Sequence, residues 1–446
     1  MKNKMDNLPT SKKIAYGVGQ LSYNTPAFFL STYIYIFYSP LQGKILLSAY
    51  LVGVSVFIGT LIQALMNPFV GNWSDKARYR LGRRKFFIVT GFIPLSIFFA
   101  LIWAPFTSGI RLAILLTFYL LAFNFLFAYV VLPYLALIPE LTTDSHDRVV
   151  LTTVSAYFGI FGIILASILP LILFMLKFSY SVVGGVIAAI MFVSMLTVIL
   201  TIKEKPTGVI APKNYNLATS FIQTFKNKTF DRYIIAYLFF QFGFYFFLSS
   251  LGYVVERVVL PGNPSYNSYV GLFTLIAVLS TIVFSPVLVT YSKRKGEKKA
   301  FIIFTGLLGV AMMLTFFVGF SHLISNLLQM VLIMVFSGLG LTSYFILPNA
   351  ILSEIIDEDE LLTGFRREGM YFGVQGLLER IPSGLSGFVL GAWITTLYVP
   401  TGDPFYVRAL GLIGGAFTLA TAVAFFFVPL KQGIKKNEIN VMQVAK

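Results

Sequence analysis

Cysteine is absent from the 446 residues, and histidine occurs only at His146 and His322. Without cysteine there is no disulfide, no thiolate metal ligand and no thiol nucleophile. Two histidines, each in or beside a predicted loop, exclude a histidine-rich metal centre. No Ser-His-Asp or metal-ligand cluster stands in their place, so an integral-membrane enzyme is not expected, and neither is a cofactor. A Gly-x-x-x-x-Gly-Lys-Ser/Thr loop is also missing, which excludes nucleotide-driven work. Charge is scarce too: Asp, Glu, Lys and Arg make up 12% of the chain, against roughly 25% in soluble domains.

What fills the chain instead is apolar. Hydrophobic residues reach 57%, with 46 phenylalanines, more than a soluble core uses, and they are expected mainly on a lipid-facing surface. Apolar runs long enough for a hydrocarbon core of roughly 30 Å fall near 14–38, 45–72, 86–106, 110–140, 150–174, 180–202, 232–256, 267–291, 300–320, 324–352, 369–397 and 406–430. These are segments 1 to 12, and they predict an all-α polytopic membrane protein with twelve transmembrane helices in two six-helix bundles. A polar N-terminus followed by a full-length span gives no sign of a removable signal peptide.

A net charge of +16 would suggest a nucleic-acid partner in a soluble protein. Here the charges alternate between loops. With the N-terminus inside, 28 Lys and Arg residues lie in inner segments and five in outer ones (Lys44, Arg111, Lys177, Arg257 and Arg408). That bias predicts cytoplasmic termini. The basic loops therefore encode orientation and contact with lipid head groups, and no nucleic acid is expected.

The chain also repeats itself. Asn67-Pro-Phe-Val-Gly-Asn-Trp-Ser74 returns as Ser285-Pro-Val-Leu-Val-Thr-Tyr-Ser292, and Ala128-Tyr-Val-Val-Leu-Pro133 returns as Ser343-Tyr-Phe-Ile-Leu-Pro348, at nearly the same displacement. Two independent stretches thus report one shift of close to half the chain, the mark of a duplicated unit. The expected division is residues 1–202, a cytoplasmic linker at 203–231 rich in Lys, Pro and Gly, and residues 232–446. Pro26, Pro68, Pro133, Pro286, Pro348 and Pro382 are expected to kink helices.

After segment 2 comes Gly71-Asn-Trp-Ser-Asp75-Lys76-Ala-Arg78-Tyr-Arg80-Leu-Gly82-Arg83-Arg84-Lys85. Asp75 is suited to accept from helix N-termini and pair with guanidinium groups, and the arginines are suited to reach acids on other inner loops. Such a network is either a gate latch or a solvated positive-inside anchor. The acid four residues after Gly71, with Gly82 before a basic triplet, resembles the loop signature of the major facilitator superfamily. With Asn67-Pro68, the spacing resembles the glycoside-pentoside-hexuronide cation symporters, the branch of the melibiose permeases. Leu137-Ile-Pro-Glu140-Leu-Thr-Thr-Asp144 with Asp147-Arg148, and Asp357-Glu-Asp-Glu360 through Arg366-Arg367-Glu368-Gly369, are similar to other inner-loop signatures of that branch. The resemblance implies a major facilitator fold, alternating access across the cell membrane, and Asp75, Arg83, Arg84, Glu140, Arg148, Arg366 and Arg367 as gate residues.

The chain departs from the family at its cation site. Sodium-coupled members carry two carboxylates one turn apart on segment 2, and the matching positions here are Gln63 and Asn67. Amides lack the charge that offsets cation dehydration, and they carry no proton. The sugar-contacting acids of the family match Asn24 on segment 1 and Val131 on segment 4. On segment 11 the family's basic residue is matched by Arg380, about 16 Å past Gly369 at 1.5 Å per residue. Gln375, Glu379, Arg380 and Ser383 share one helical face there. Glu379, which departs from the family, is a candidate coupling group beside Gln63 and Asn67. Tyr23, Asn24, Tyr129, Gln241, Tyr344, Gln375 and Arg380 are the candidate solute contacts; the competing role for Arg380 and Glu379 is a structural ion pair.

The chain therefore reads as a secondary active transporter, a monomer, for a small polar solute, with a sugar or glycoside implied by the resemblance. The alternatives are an organic-anion carrier using Arg380, uniport or coupled to protons or another ion, and a lysolipid carrier. From Gln63 and Asn67, uptake into proteoliposomes should be unchanged when choline replaces sodium at constant pH and membrane potential. Abolished uptake would restore a sodium site.

Overall fold

The computed structural model describes residues 8–77, 79–142, 145–202, 224–321, 323–363 and 368–430. Helices make up nearly all of them, and the described residues contain no strand. The reason is the solvent: in hydrocarbon each backbone N–H and C=O needs a partner, and a helix supplies one within its own segment. Ten of these helices are long and apolar enough to cross a membrane.

Segments 2 to 6 are the helices Ala49–Lys76, Lys85–Ile102, Gly109–Leu135, Ser145–Met175 and Tyr180–Thr201. Segment 7 is Lys228–Val254, continued by a π-helical turn at Val255–Val259. Segments 8, 9, 10 and 12 are Tyr266–Lys295, Glu297–Leu314, Asn326–Thr363 and Pro404–Phe426. Segment 10 continues to Thr363, well past the apolar run that ends at 352, because its acidic continuation keeps helical bonding after leaving the apolar stretch. Gly296, at φ 88°, makes the tight turn from segment 8 to segment 9 that a side chain would strain.

Segments 1 and 11 differ from the expected continuous spans. Segment 1 divides into Thr10–Val18 and Leu21–Tyr38. At the division the Gly19 and Gln20 N–H groups bond back to Tyr16 and Gly17 by the tighter three-residue step. Gly17 and Gly19 suit that turn. A Cβ at Gly17 would meet Phe158 at 2.6 Å, and one at Gly19 would meet Tyr134 and Val198 at 2.7 Å. Segment 11 divides into Glu368–Leu378 and Arg380–Trp393, with a π-helical stretch at Ile394–Tyr398. Pro382 explains the division: it has no N–H for the Leu378 carbonyl and its ring crowds that oxygen. Pro26, Pro68, Pro133, Pro286 and Pro348 lie inside their helices, as expected.

The chain forms two compact units. The first comprises Met1–Lys213, Leu248–Leu275 and Ser383–Val407; the second comprises Asn214–Phe247, Ile276–Pro382 and Arg408–Lys446. In the first, segment 2 packs along segment 4, segment 3 along segments 4 and 6, and segment 1 along segments 5 and 6. In the second, segment 9 packs along segment 10, the counterpart of the contact between segments 3 and 4. The phenylalanines serve both environments. Phe29, Phe87 and Phe99 are fully buried, whereas Phe69, Phe106 and Phe118 are exposed, where lipid would cover them.

The cysteine-free chain tests orientation directly. Ser74, at the end of the loop signature, is buried, so exposed Arg80 and Gly402 are better reporters. Arg80→Cys should react with a membrane-impermeant maleimide only from the cytoplasmic side, and Gly402→Cys only from outside. The reverse pattern in intact cells would overturn the orientation.

Candidate functional site

In the second unit the polar residues of segments 7 and 11 form one connected cluster. Tyr233, Tyr237, Gln241 and Tyr245 recur every four residues along one face of segment 7. The Tyr233 hydroxyl shares its proton between Gln375 Oε1 at 2.8 Å and the Pro348 carbonyl at 3.1 Å. One turn on, the Tyr237 hydroxyl donates to Glu379 Oε2 at 3.0 Å, and Gln241 Nε2 donates to the Tyr237 oxygen at 2.6 Å and to Glu379 at 3.3 Å. Arg380 Nη2 stands 3.8 Å from Glu379 Oε1, with about a quarter of each side chain exposed. Tyr344 stacks on Phe244 at 4.2 Å, beside Tyr245. The break at Glu379 matters here: it places the carboxylate where segment 7 offers both a hydroxyl and an amide.

The first unit has a smaller cluster at the division of segment 1. The Tyr16 hydroxyl donates to the Tyr134 carbonyl at 3.1 Å, and the Tyr134 hydroxyl donates to the Tyr16 carbonyl at 2.6 Å. Gln20 Nε2 reaches the Tyr134 hydroxyl at 3.4 Å, and Gln20 Oε1 accepts from Tyr23 and from Asn24 Nδ2. Gly159 and Gly162 of segment 5 face Asn24, a Cβ on Gly159 lying 3.3 Å from its Nδ2.

The expected residues are only partly gathered. Asn24 and Tyr23 meet in the first cluster, and Gln241, Gln375, Glu379, Arg380 and Tyr344 in the second. Tyr129 stands apart, its hydroxyl 3.1 Å from Thr90 Oγ1 and its ring against Phe87 and Trp73. On segment 2, Gln63 is buried and Asn67 half-buried. Gln20, Tyr134, Tyr233 and Tyr237 escaped sequence reading, although a signal existed. Tyr16, Gln20 and Asn24 are related to Tyr233, Tyr237 and Gln241 by nearly the same half-chain displacement as the sequence repeats, and each set has four-residue spacing.

The loop network is partly formed within the first unit. Glu140, buried at the short helix Ile138–Leu141, accepts from Arg83 and sits 3.0 Å from Arg84 Nε. Arg148 is exposed, with Nη2 3.3 Å from the Thr142 carbonyl. The Asp75 side chain and residues Arg366 and Arg367 lie outside the described residues. A further buried pair joins segment 1 to segment 5: Lys13 Nζ is 2.6 Å from Asp147 Oδ1, and the Leu8 N–H donates to Asp147 Oδ2.

Membrane-length helices that carry clustered hydroxyls, amides and an ion pair define a polytopic carrier. The chain belongs to the MFS/sugar transport protein family, whose model matches residues 15–432. Within it the chain falls in the glycoside-pentoside-hexuronide branch of the major facilitator superfamily. It is 24% identical to the isoprimeverose transporter of Lactiplantibacillus pentosus, over 86% of this chain and 80% of that one. It is 25% identical to the putative sulfoquinovose importer of Escherichia coli, over 87% and 82%. The fold is shared with the crystal structure of a D-xylose-proton symporter, at TM-score 0.70 and 17% identity, covering 95% of this chain and 98% of that one. The protein is thus a multi-pass secondary transporter of sugar-like solutes in the cell membrane, and not an enzyme.

Glu140 joins Arg83 and Arg84 at a buried position, and losing one partner of a buried ion pair is destabilising. Glu140→Ala should therefore lower the initial rate of counterflow severalfold while the amount of protein in the membrane is preserved. An unchanged rate would leave the loop as an anchor alone.

Proposed function

We propose that the protein carries a sugar or glycoside and couples its movement to a proton held by Glu379, without sodium. The observation that supports this reading is the position of Glu379, between Tyr237 and Gln241 on one side and Arg380 on the other. Paired, Glu379 and Arg380 are neutral together. The groups left to meet a solute are then hydroxyls and amides, the donors and acceptors that match sugar hydroxyls. Tyr23, Asn24, Gln241, Tyr344 and Gln375 are the proposed contacts. Segment 2 offers only amides at Gln63 and Asn67, and the carboxylate of Glu379 is the proposed coupling group in their place. The twelve-span count, the cytoplasmic termini and the division of the chain at 203–231 belong to the same proposal.

The pair also favours a second reading. In it Arg380, with about a quarter of its side chain exposed, meets an anionic group of the solute. One relative, the putative sulfoquinovose importer of Escherichia coli, is named for a sugar that carries a sulfonate. A lysolipid carrier has no comparable support from these clusters.

Counterflow separates the roles, because it needs binding and reorientation but no net coupling. Glu379→Gln should keep counterflow within about threefold while losing pH-driven accumulation, since the amide keeps the hydrogen bonds to Tyr237 and carries no proton. Arg380→Gln should remove both. If the doubly neutral variant regains full accumulation, the pair is scaffold only, because removing both charges also removes the penalty of a lone one. Counterflow of an anionic sugar by wild type, and not of its neutral analogue, would establish the second reading.

A further inference from the structure

Glu256 lies at the far end of segment 7, inside the π-helical turn, and is fully buried. Its carboxylate takes the Gln42 backbone N–H at 2.6 Å on one oxygen and the Leu41 N–H at 3.0 Å on the other. Gln42 Nε2 returns a bond to the Glu256 carbonyl at 3.1 Å. Leu41 and Gln42 belong to the turn that follows segment 1, so a single carboxylate caps the backbone of a segment from the opposite half of the sequence. Tyr266 of segment 8, Tyr398 of segment 11, Tyr180, Tyr253 and the neighbouring Arg257 are the titratable or charged groups around it.

The contacts nearby are of a different kind. Gly252 of segment 7 lies against Ile36, and Gly387 and Gly391 of segment 11 lie against Tyr35 and the Ala49 carbonyl, each too close for a Cβ. Tyr33 donates to the Asn267 carbonyl at 3.3 Å and Tyr180 to Asn267 Oδ1 at 2.6 Å. The Glu256 bonds differ because an ionised carboxylate held by two backbone N–H donors, with the Tyr266 hydroxyl as a further partner, is a short-range, charge-assisted contact. The π-helical turn adds one residue to the helical repeat, a device that re-aims side chains and recurs at functional positions.

We propose that Glu256 is the latch of the outer gate: its grip on the turn after segment 1 holds the outer ends of segments 7, 8 and 11 closed on segments 1 and 2. The inference rests on reading the chain as a carrier with its N-terminus in the cytoplasm. Opening toward the outside would pull the carboxylate off both N–H donors and return all three groups to water. Gln in its place keeps one acceptor and turns an amide N–H toward the second donor, which weakens the closed state alone.

The test uses the cysteine-free chain with one reporter, Ile36→Cys, buried under Gly252, labelled from outside by an impermeant maleimide. Adding Glu256→Gln should raise the labelling rate roughly tenfold, the factor for losing one hydrogen bond to a charged group. Gln42→Ala should raise it about threefold, as expected for a neutral bond. Should Glu256→Gln fail to reach the membrane, the Gln42→Ala rate decides. An unchanged rate overturns the latch. So does an equal rise at Ala311→Cys, a buried position of segment 9, because that would mean general loosening. Gly402→Cys, labelled in parallel, reads orientation separately. If it reacts only from the cytoplasmic side, the orientation has failed, and the same comparison from that side still decides the latch.

Discussion

A charge placed in hydrocarbon has to be met by another charge or by hydrogen-bond donors, and this requirement organises the polar chemistry of the molecule. Among the described acids of the helical segments, Glu379 is met by a phenol, an amide and a guanidinium, Glu256 by two backbone N–H groups and the Tyr266 phenol, and Asp147 by Lys13 and a backbone N–H. Each arrangement joins segments distant in the chain. A buried carboxylate therefore acts as a joint, and a joint made from hydrogen bonds can be exchanged for water or solute. That separates these acids from the apolar packing around them.

The same requirement explains why hydroxyls and amides line the clusters. Tyr16 and Tyr233 bond carbonyls at the aligned prolines of segments 4 and 10, Tyr134 in one case and Pro348 in the other. The two halves then diverge at the next turns. Segment 5 presents Gly159 and Gly162 to Asn24, whereas segment 11 presents Gln375 and Glu379 to Tyr233, Tyr237 and Gln241. The two halves keep matching scaffold bonds, and of these two clusters only the one on segments 7 and 11 carries charge.

Glycine sets the distances over which these polar groups meet. Gly17 and Gly19 admit Phe158 and Tyr134 against the divided segment 1, and Gly252, Gly387 and Gly391 allow backbone-level approach where segments 7 and 11 meet segments 1 and 2. Small residues of this kind do in lipid what apolar burial does in water: they increase van der Waals contact between helices that lipid would otherwise solvate equally well. The carrier thus combines close, reversible packing with a few directional bonds.

The apolar runs, the half-chain repeat and the family signature were legible in the order of residues, because hydropathy, charge bias and spacing are properties of the linear chain. Glu379, Arg380 and Asn24 stood out as well, as polar residues in apolar runs, and the family resemblance marks the positions of Arg380 and Asn24. What the sequence could not convey is where a hydroxyl ends up pointing. Tyr129 had the same credentials as Tyr344, yet it turns to Thr90 and Phe87, away from Asn24. Tyr237, Gln20 and Glu256 gained their roles only from partners on distant segments or from a local helix break. Composition and spacing thus determined that the chain is a membrane-spanning carrier of this family. Tertiary structure decided which charges meet which donors, because hydrogen bonds depend on distances of a few tenths of an ångström that no periodicity encodes.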